Sequence, residues 1–525
     1  MELSENLWRR HAIAKLWDER KRMGRTPIFK LTSPGYQNID FIFKNETASR
    51  TGSLKHRYSW ALIMWAVVDG KINENTTVYE ASSGNTAASE AYMCRLIGVK
   101  FIAIVPNSIE QVKVEHIQSY GGEIIKTDLG DRLIRARLEA VRNNGFFMNQ
   151  FANSDRAEEY HESGNYPLES VNIMHEVLAQ MRQDLNQTIE EPHYFVHSAG
   201  TGGTISSIGR YVKKYGLRTE VVLADTQFSV YYDYVMNERF MNESGRNVWI
   251  IPGMAGIGFG VMGPYYLFLL FSLFIIIIIV VINININIII IIIIIIITII
   301  IIIIYFIIII YFIIIIIIII IIIIIIIIII IIIIIIIIII LLLLLLLLLL
   351  ITIIIIIIIV VVTVIIIVII IINHCYYCYA ITNKSLLRTV IDRAIKIPDI
   401  ASTAAMTVLK RLGINGGTST GTNFMAALHL AATHSKDSLF NNERLIIATI
   451  MGDTGDYYKS SYYNRTWINE NFNVHGGLTV YDCWIEEIEK AFKFGTDPLI
   501  SGHEQCDQNT INMIDFRTRR TRCCL

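Results

Sequence analysis

Thr51-Gly52-Ser53-Leu54-Lys55-His56-Arg57 is the stretch on which the reading of the fold turns. It follows Phe41-Ile42-Phe43, a short apolar run that reads as a strand. It precedes residues 58–68, an apolar segment without Gly or Pro that reads as a buried helix. A lysine at such a junction can project into a cleft. In a dry cleft its ammonium loses solvation and its pKa falls, so the amine becomes a usable nucleophile. The competing reading is an ordinary solvated lysine, and the rest of the chain decides between them.

Beyond Lys55 the chain alternates in type. Thr77-Val78-Tyr79-Glu80-Ala81 reads as a strand, Ser82-Ser83-Gly84-Asn85-Thr86 as a polar loop, and residues 87–97 as a helix ending near Gly98. Residues 101–105 and 123–126 read as strands, and 109–120 and 131–142 as helices. Strands alternating with helices of this length predict βαβ units and a parallel sheet, so the fold class is α/β. Ligands bind such sheets at the carboxyl ends of strands. The Ser82–Thr86 loop lies at one such end and offers hydroxyls, an amide and unpaired helix N–H groups, which suit a carboxylate; plain N-capping is the alternative.

Tyr194-Phe195-Val196-His197 reads as a further strand, followed by Gly200-Thr201-Gly202-Gly203-Thr204 and a helix over 205–215. The glycines let the backbone approach an anion and turn several N–H groups toward it. A phosphate fits at that helix N-terminus; a glycine-rich turn of purely structural use is the alternative. The loop is neither a dinucleotide fingerprint, since Ile205 stands where glycine is needed, nor a Walker A loop, since no Gly-Lys-Ser/Thr follows. One phosphate seat and one reactive lysine on a parallel sheet point to pyridoxal 5′-phosphate.

These segments also carry a resemblance. Together they resemble the cysteine synthase and cystathionine β-synthase family, fold-type II enzymes related in architecture to the tryptophan synthase β chain. Gly52–Arg57 resembles that family's Schiff-base lysine segment, with Lys55 as the catalytic lysine. Ser82, Ser83, Gly84 and Thr86 resemble the loop that holds the substrate carboxylate, and Asn85 the residue touching the cofactor's 3′-oxygen. Gln150-Phe151 resembles the family's Gln-Phe, whose Gln150 also touches the carboxylate. Gly200, Thr201, Gly202, Gly203 and Thr204 match the phosphate loop. Pro252-Gly253-Met254-Ala255-Gly256-Ile257-Gly258 resembles the glycine-containing wall of the site, with Gly256 facing substrate. Gly417-Thr418-Ser419-Thr420-Gly421-Thr422-Asn423 resembles the loop whose serine faces the pyridine nitrogen: Ser419, with Thr418 as the register alternative.

The resemblance implies two parallel-sheet lobes with the cofactor between them, a small amino-acid substrate, no metal and a homodimer. It implies β-elimination releasing sulfide from cysteine, or β-replacement making cysteine from O-acetylserine and sulfide. The wording of Gly52–Arg57, Glu80–Tyr92, Gln227-Phe228-Ser229-Val230 and Gly452-Asp453-Thr454-Gly455 is closest to the L-cysteine desulfhydrase branch, and Ala87 stands where cysteine synthases usually carry glycine. The alternative is an inactive regulatory homologue that binds a partner peptide in the cleft; an intact Lys55 argues against it.

Composition excludes other classes. Lys+Arg and Asp+Glu are 45 each, so no overall basic field draws in nucleic acid or an anionic membrane. Acidic residues 2, 5, 18 and 19 interrupt the first segment, which reads as an amphipathic helix (Trp8, Ala12, Ile13, Leu16, Trp17) rather than a secretory signal or mitochondrial presequence. Seven scattered cysteines suit a reducing compartment, so the expectation is cytoplasmic.

From about Val261 to Ala380 the chain becomes Ile and Leu runs broken by Asn, Tyr and Thr. Such a length would make about five membrane spans. It has no loops between spans, no flanking Lys or Arg and no aromatic belts. A repeated ATT triplet reads as Ile, Leu (TTA) or Tyr (TAT) according to frame. The expected division is therefore a catalytic part over 1–260 with its smaller lobe at about 58–160, a low-complexity gene-model artefact over 261–380, the rest of the larger lobe over 381–460, and a C-terminal extension over 461–525. His374-Cys375-x-x-Cys378 at the tract's edge lacks a second ligand pair and is not read as zinc. Sequencing the transcript tests the artefact hypothesis. The expected message lacks the tract; a message that carries it, with a protein of matching mass, overturns the idea.

Overall fold

The computed structural model describes residues 2–154, 156, 172–238, 253–259, 386–435 and 444–506. Met1–Gly263 and Ile381–Leu525 belong to one compact unit. The Ile/Leu tract, Cys375, Cys378, Cys523 and Cys524 lie outside the described residues.

The chain runs α1 (Glu2–Met23), β1 (Ile28–Thr32), β2 (Ile39–Asn45), α2 (Lys55–Val68), β3 (Thr77–Glu80), α3 (Asn85–Ile97), β4 (Lys100–Pro106), α4 (Gln111–Ser119), β5 (Glu123–Thr127), α5 (Arg132–Arg142) and β6 (Phe146–Phe147). After these come α6 (Ile173–Gln183), β7 (Tyr194–His197), α7 (Gly203–Lys214), β8 (Glu220–Thr226) and α8 (Tyr231–Asn237). β9 (Arg393–Ile397), α9 (Asp399–Arg411), α10 (Thr418–Ser435), β10 (Leu445–Met451), α11 (Arg465–Asn471), α12 (Gly477–Phe494) and α13 (Pro498–Gln505) complete the described elements.

Two sheets result. The larger has the order β1-β2-β10-β7-β8-β9 and is parallel except for the β1–β2 pair. The smaller has the order β5-β4-β3-β6 and is parallel throughout. Strands covered on both faces read as continuous apolar runs, and β10, Leu-Ile-Ile-Ala-Thr-Ile-Met, is buried at every position. The helix α2 packs against α1 and α3 over the smaller sheet. On α1, Ala12 and Leu16 are buried, and Trp60 Nε1 donates to the Leu16 carbonyl at 2.7 Å.

Three details differ from the sequence reading. The segment 416–423, expected as a loop, supplies the first turn of α10, which begins at Thr418. Gly-Ser-Thr runs have weak helix propensity, yet packing overrides it: a Cβ at Gly421 would stand 2.3 Å from the Ser402 carbonyl on α9, so glycine lets the two helices meet. The segment after Trp467 forms helices whose Trp484, Ile485 and Ile488 share one core with α9 and α10. Two cysteines read as unpaired, Cys483 on α12 and Cys506 after α13, form a disulfide with Cα atoms 5.7 Å apart. Their spacing in the chain says nothing about which helix faces meet. Among the described residues no helix is long and apolar enough to cross a membrane.

One buried cluster ties the sheets together. Arg57 on α2 donates Nε and Nη2 to Glu46 at 2.8 and 3.0 Å. It donates Nη1 and Nη2 to Glu176 on α6 at 2.6 and 2.8 Å. Lys44 at the end of β2 reaches Glu176 at 2.7 Å and donates to Gln180 and the Thr26 carbonyl. Burial opposes the Glu176 charge, but Arg57 and Lys44 outweigh it and hold the carboxyl down to about 2. Burial wins at Lys44, whose ammonium is pushed down even beside that carboxylate. Bidentate pairs of this kind are strong only while complete. Arg57→Leu takes the arginine from buried Glu46 and leaves buried Glu176 to Lys44 alone, and is expected to cost about 3–5 kcal/mol of stability. A denaturant midpoint unchanged from wild type would contradict that.

Candidate functional site

Lys55 is the first residue of α2, at the point where the chain passes from the larger sheet to the smaller. Its backbone is pinned from the far side. Leu54 N–H donates to the Gly452 carbonyl at 2.7 Å, and Ser53 pairs with Asp453 in an antiparallel bridge. Gly452 and Asp453 follow the carboxyl end of β10. The Lys55 Nζ lies 4.9 Å from the centre of the Tyr58 ring. Burial pushes the Lys55 ammonium down to about 8, against the opposing pull of Asp453. That is the dry-cleft lysine the sequence suggested.

A cavity of about 500 Å³ opens in front of it. Lys55, Ser82, Ser83, Gly84, Asn85, Thr86, Gln150, Gly200, Thr201, Gly202, Thr204, Gly256 and Ser419 all line it. Gly203 alone of the expected residues does not; it is buried in the first turn of α7 beneath the loop.

The Ser82–Thr86 loop joins β3 to α3. The helix starts at Asn85 behind Gly84, with no side chain capping its first N–H groups. Beneath the loop, buried Glu80 accepts N–H from Ala81 at 2.7 Å and from Gln150 at 2.9 Å. One carboxylate thus holds both segments expected to meet a substrate carboxylate. Burial pushes the Glu80 carboxyl up to about 7 against those two N–H groups, and Glu90 behind it is raised well above its usual range by burial and by Glu80.

Across the cavity, Gly202 at φ +87° is the N-cap of α7 and brings no side chain of its own, while Thr201 Oγ1 accepts from the Gly203 N–H at 3.5 Å. A Cβ at Gly200 would stand 2.4 Å from the Gly256 carbonyl, so the loop and the 253–259 wall approach as only glycine allows. The Tyr231 hydroxyl donates to the Gly200 carbonyl. On the third wall, Thr418 Oγ1 donates to the Ala255 carbonyl at 2.7 Å. The Ser419 Oγ faces Gly452, where a Cβ would come within 2.9 Å of it.

Among the lining residues that the sequence reading does not name as candidates are Asp453, Tyr458, His197, Lys113 and Arg132. Asp453 and His197 lie at the carboxyl ends of β10 and β7, and that placement is the signal that marks them. Asp453 accepts from Asn85 Nδ2 and from the Tyr458 hydroxyl, both at 2.7 Å. Burial raises its pKa, while Tyr458, Asn85, Lys113 and Lys55 pull it down. Burial, aided by Lys55, keeps the His197 ring neutral by pushing it down to about 3.

This donor set fits pyridoxal 5′-phosphate. A desolvated amine, a helix start cradled by glycines that admit no Cβ, and a neutral hydroxyl on a third wall share one space. The comparisons agree. The family model for pyridoxal-phosphate dependent enzymes matches residues 20–260. A Caenorhabditis elegans protein named as pyridoxal-phosphate dependent is 36% identical over 504 residues, 96% of this chain and 90% of that protein. L-cysteine desulfhydrase Cds1 of Mycobacterium tuberculosis is 33% identical over 238 residues, 44% of this chain and 62% of that enzyme. The crystal structure of a hydrogen sulfide-producing enzyme from Fusobacterium nucleatum shares the fold, with a TM-score of 0.51 at 16% identity over 86% of this chain and 92% of that one.

A lysine held near pH 8 is half neutral there, whereas an ordinary lysine stays charged to about pH 10. Labelling of Lys55 in cofactor-free protein by an amine-reactive reagent should therefore rise with pH to a midpoint near 8 and then level off, as read by peptide mass spectrometry. Asp453→Asn removes the group that raises this pKa, so the midpoint should move lower. A midpoint near 10 would contradict the desolvated placement.

Proposed function

The chain belongs to the family of pyridoxal-phosphate dependent enzymes, and from that premise we propose that it catalyses β-elimination on a small sulfur-bearing amino acid, releasing sulfide from L-cysteine. Cysteine synthesis from O-acetylserine and sulfide is the second outcome the same site would support. The observation that carries this reading is that Lys55, the Ser82–Thr86 loop and the Gly200–Thr204 loop line a single cavity. The likeness to a mycobacterial L-cysteine desulfhydrase favours elimination.

When bound, pyridoxal phosphate supplies the electron withdrawal from Cα that no side chain provides. The chain's own residues do the rest in this proposal. Lys55 would hold the cofactor at its aldehyde, and the Lys55 amine, with its lowered pKa, would be the group that takes the α-proton. The N–H groups at the start of α7 and the hydroxyls of Thr201 and Thr204 would hold the phosphate. Ser82, Ser83, Gly84, Thr86 and Gln150 hold the substrate carboxylate, and Glu80 keeps Gln150 and the start of the loop in register. Asn85, its amide oriented by Asp453, would offer its other N–H to the cofactor. Ser419 would meet the pyridine nitrogen with a neutral hydroxyl, which would withhold the charge that favours transamination. Gly256 leaves room on the substrate side. The working unit is proposed to be a homodimer, as the likeness to cysteine synthases implies.

Purified protein loaded with pyridoxal phosphate should be yellow and release sulfide and pyruvate from L-cysteine. Lys55→Ala should lose the visible band and about 10³-fold or more of the activity, with its circular dichroism unchanged. A folded wild-type protein that stays colourless with added cofactor would refute the reading.

A further inference from the structure

Arg132 has no structural reason to stand where it does. It is half-buried, it lines the cavity, and it is the first residue of α5. A cation at a helix N-terminus opposes the positive end of the helix dipole. Burial lowers the pKa of this guanidinium, and no neighbouring charge offsets the loss. Other cations on α5 and on the cavity wall have carboxylate partners. On α5, Arg135 and Arg142 both pair with Glu139, at 2.8 and 3.3 Å. On the cavity wall, Lys113 pairs with Glu110 at 2.6 Å. Among the described residues no carboxylate pairs with Arg132. Its one hydrogen bond runs from Nε to the Leu129 carbonyl at 3.0 Å. That bond fixes the plane of the guanidinium and leaves both Nη groups for something else.

Neither anion seat already described uses it. The phosphate loop opens α7 in the larger sheet, and the carboxylate loop opens α3. Arg132 lies on a third segment, 129–133, that faces the same cavity from α5. Helix start and guanidinium together make a positive potential there, in a space partly withdrawn from water, where charge-assisted hydrogen bonds are strongest.

We propose that Arg132 is a specificity-determining residue that binds an anionic group on the substrate's β-substituent, so that the enzyme prefers amino acids carrying a second anion beyond the α-carboxylate. This rests on the reading of the site as a β-elimination centre. For S-sulfo-L-cysteine the reaction balances without a further oxidant or reductant. The Cβ–S bond breaks, its electron pair leaves with sulfur as thiosulfate, the α-proton goes to the Lys55 amine, and hydrolysis of the remainder gives pyruvate and ammonia.

The test pairs S-sulfo-L-cysteine with the neutral S-methyl-L-cysteine on cofactor-loaded protein. Binding is read from the change in the visible absorption band on titration, and turnover from pyruvate. Arg132→Gln should weaken binding of the sulfo compound about ten- to hundred-fold and leave the methyl compound within about twofold, while Arg132→Lys restores part of the loss. An equal effect on both compounds, or none on either, overturns the proposal. Arg132-dependent binding of the sulfo compound without any pyruvate would uphold the anion site and sink the elimination reading instead. A lowered unfolding temperature in Arg132→Gln that Arg132→Lys repairs, with the two compounds still affected alike, would mark Arg132 as structural and also overturn the proposal.

Discussion

The buried charges around Arg57 are the constraint on which the rest depends. Glu46 follows β2, Arg57 lies on the first turn of α2, and Glu176 belongs to α6. Their mutual bonds fix the helix start relative to the larger sheet. Lys55 is two residues from Arg57 on that same turn. Such a cluster adds little net stability, because desolvating each ion consumes most of the attraction. What it does is penalise every arrangement that breaks one pair. A reactive amine needs that kind of fixed address, since a displacement of about 1 Å at the reacting atoms is costly in rate.

A second set of polar contacts closes the cavity between the sheets. Leu54 to Gly452, Asn85 to Asp453, and Tyr457 to His116 at 3.1 Å all cross from one sheet's elements to the other's. Few apolar residues join across this line: the core under α2 and the core under α9 and α10 are separate clusters. Two parallel sheets that turn the carboxyl ends of β3, β7 and β10 toward one gap leave it lined by loops and helix starts. Polar ties hold such a gap without filling it.

Most of the site was legible because it consists of strand-end loops with strong local signals. Ser82–Thr86 and Gly200–Thr204 are runs of small and hydroxyl residues between an apolar strand and a helix, and the structure places both on the cavity. Lys55 announced itself by its junction. Asp453 and Arg132 did not, because their meaning lies in what faces them: Asn85 is 368 positions from Asp453. The first turn of α10 was read as a loop because Thr418–Thr422 has loop-like composition, and only close packing on α9 makes it helical. Likewise Cys483 and Cys506 meet through the packing of α12 on α13, which no spacing rule encodes.

The balance between Lys55 and Asp453 shows why burial and charge must be read together. Desolvation moves both groups toward their neutral forms, the amine down and the carboxyl up, and each also favours the other's charge. Tyr458 and Asn85 add hydrogen bonds that only the carboxylate accepts in full, which opposes the upward push of burial on Asp453, while Lys55 titrates near 8. His197, kept neutral by the same burial, adds no competing cation. A pocket that would seat a phosphate on backbone N–H groups, as proposed, spends no side-chain cation there. Its lysine is therefore left to carry a proton in the proposed chemistry, and Arg132 is left to meet an anion of the substrate.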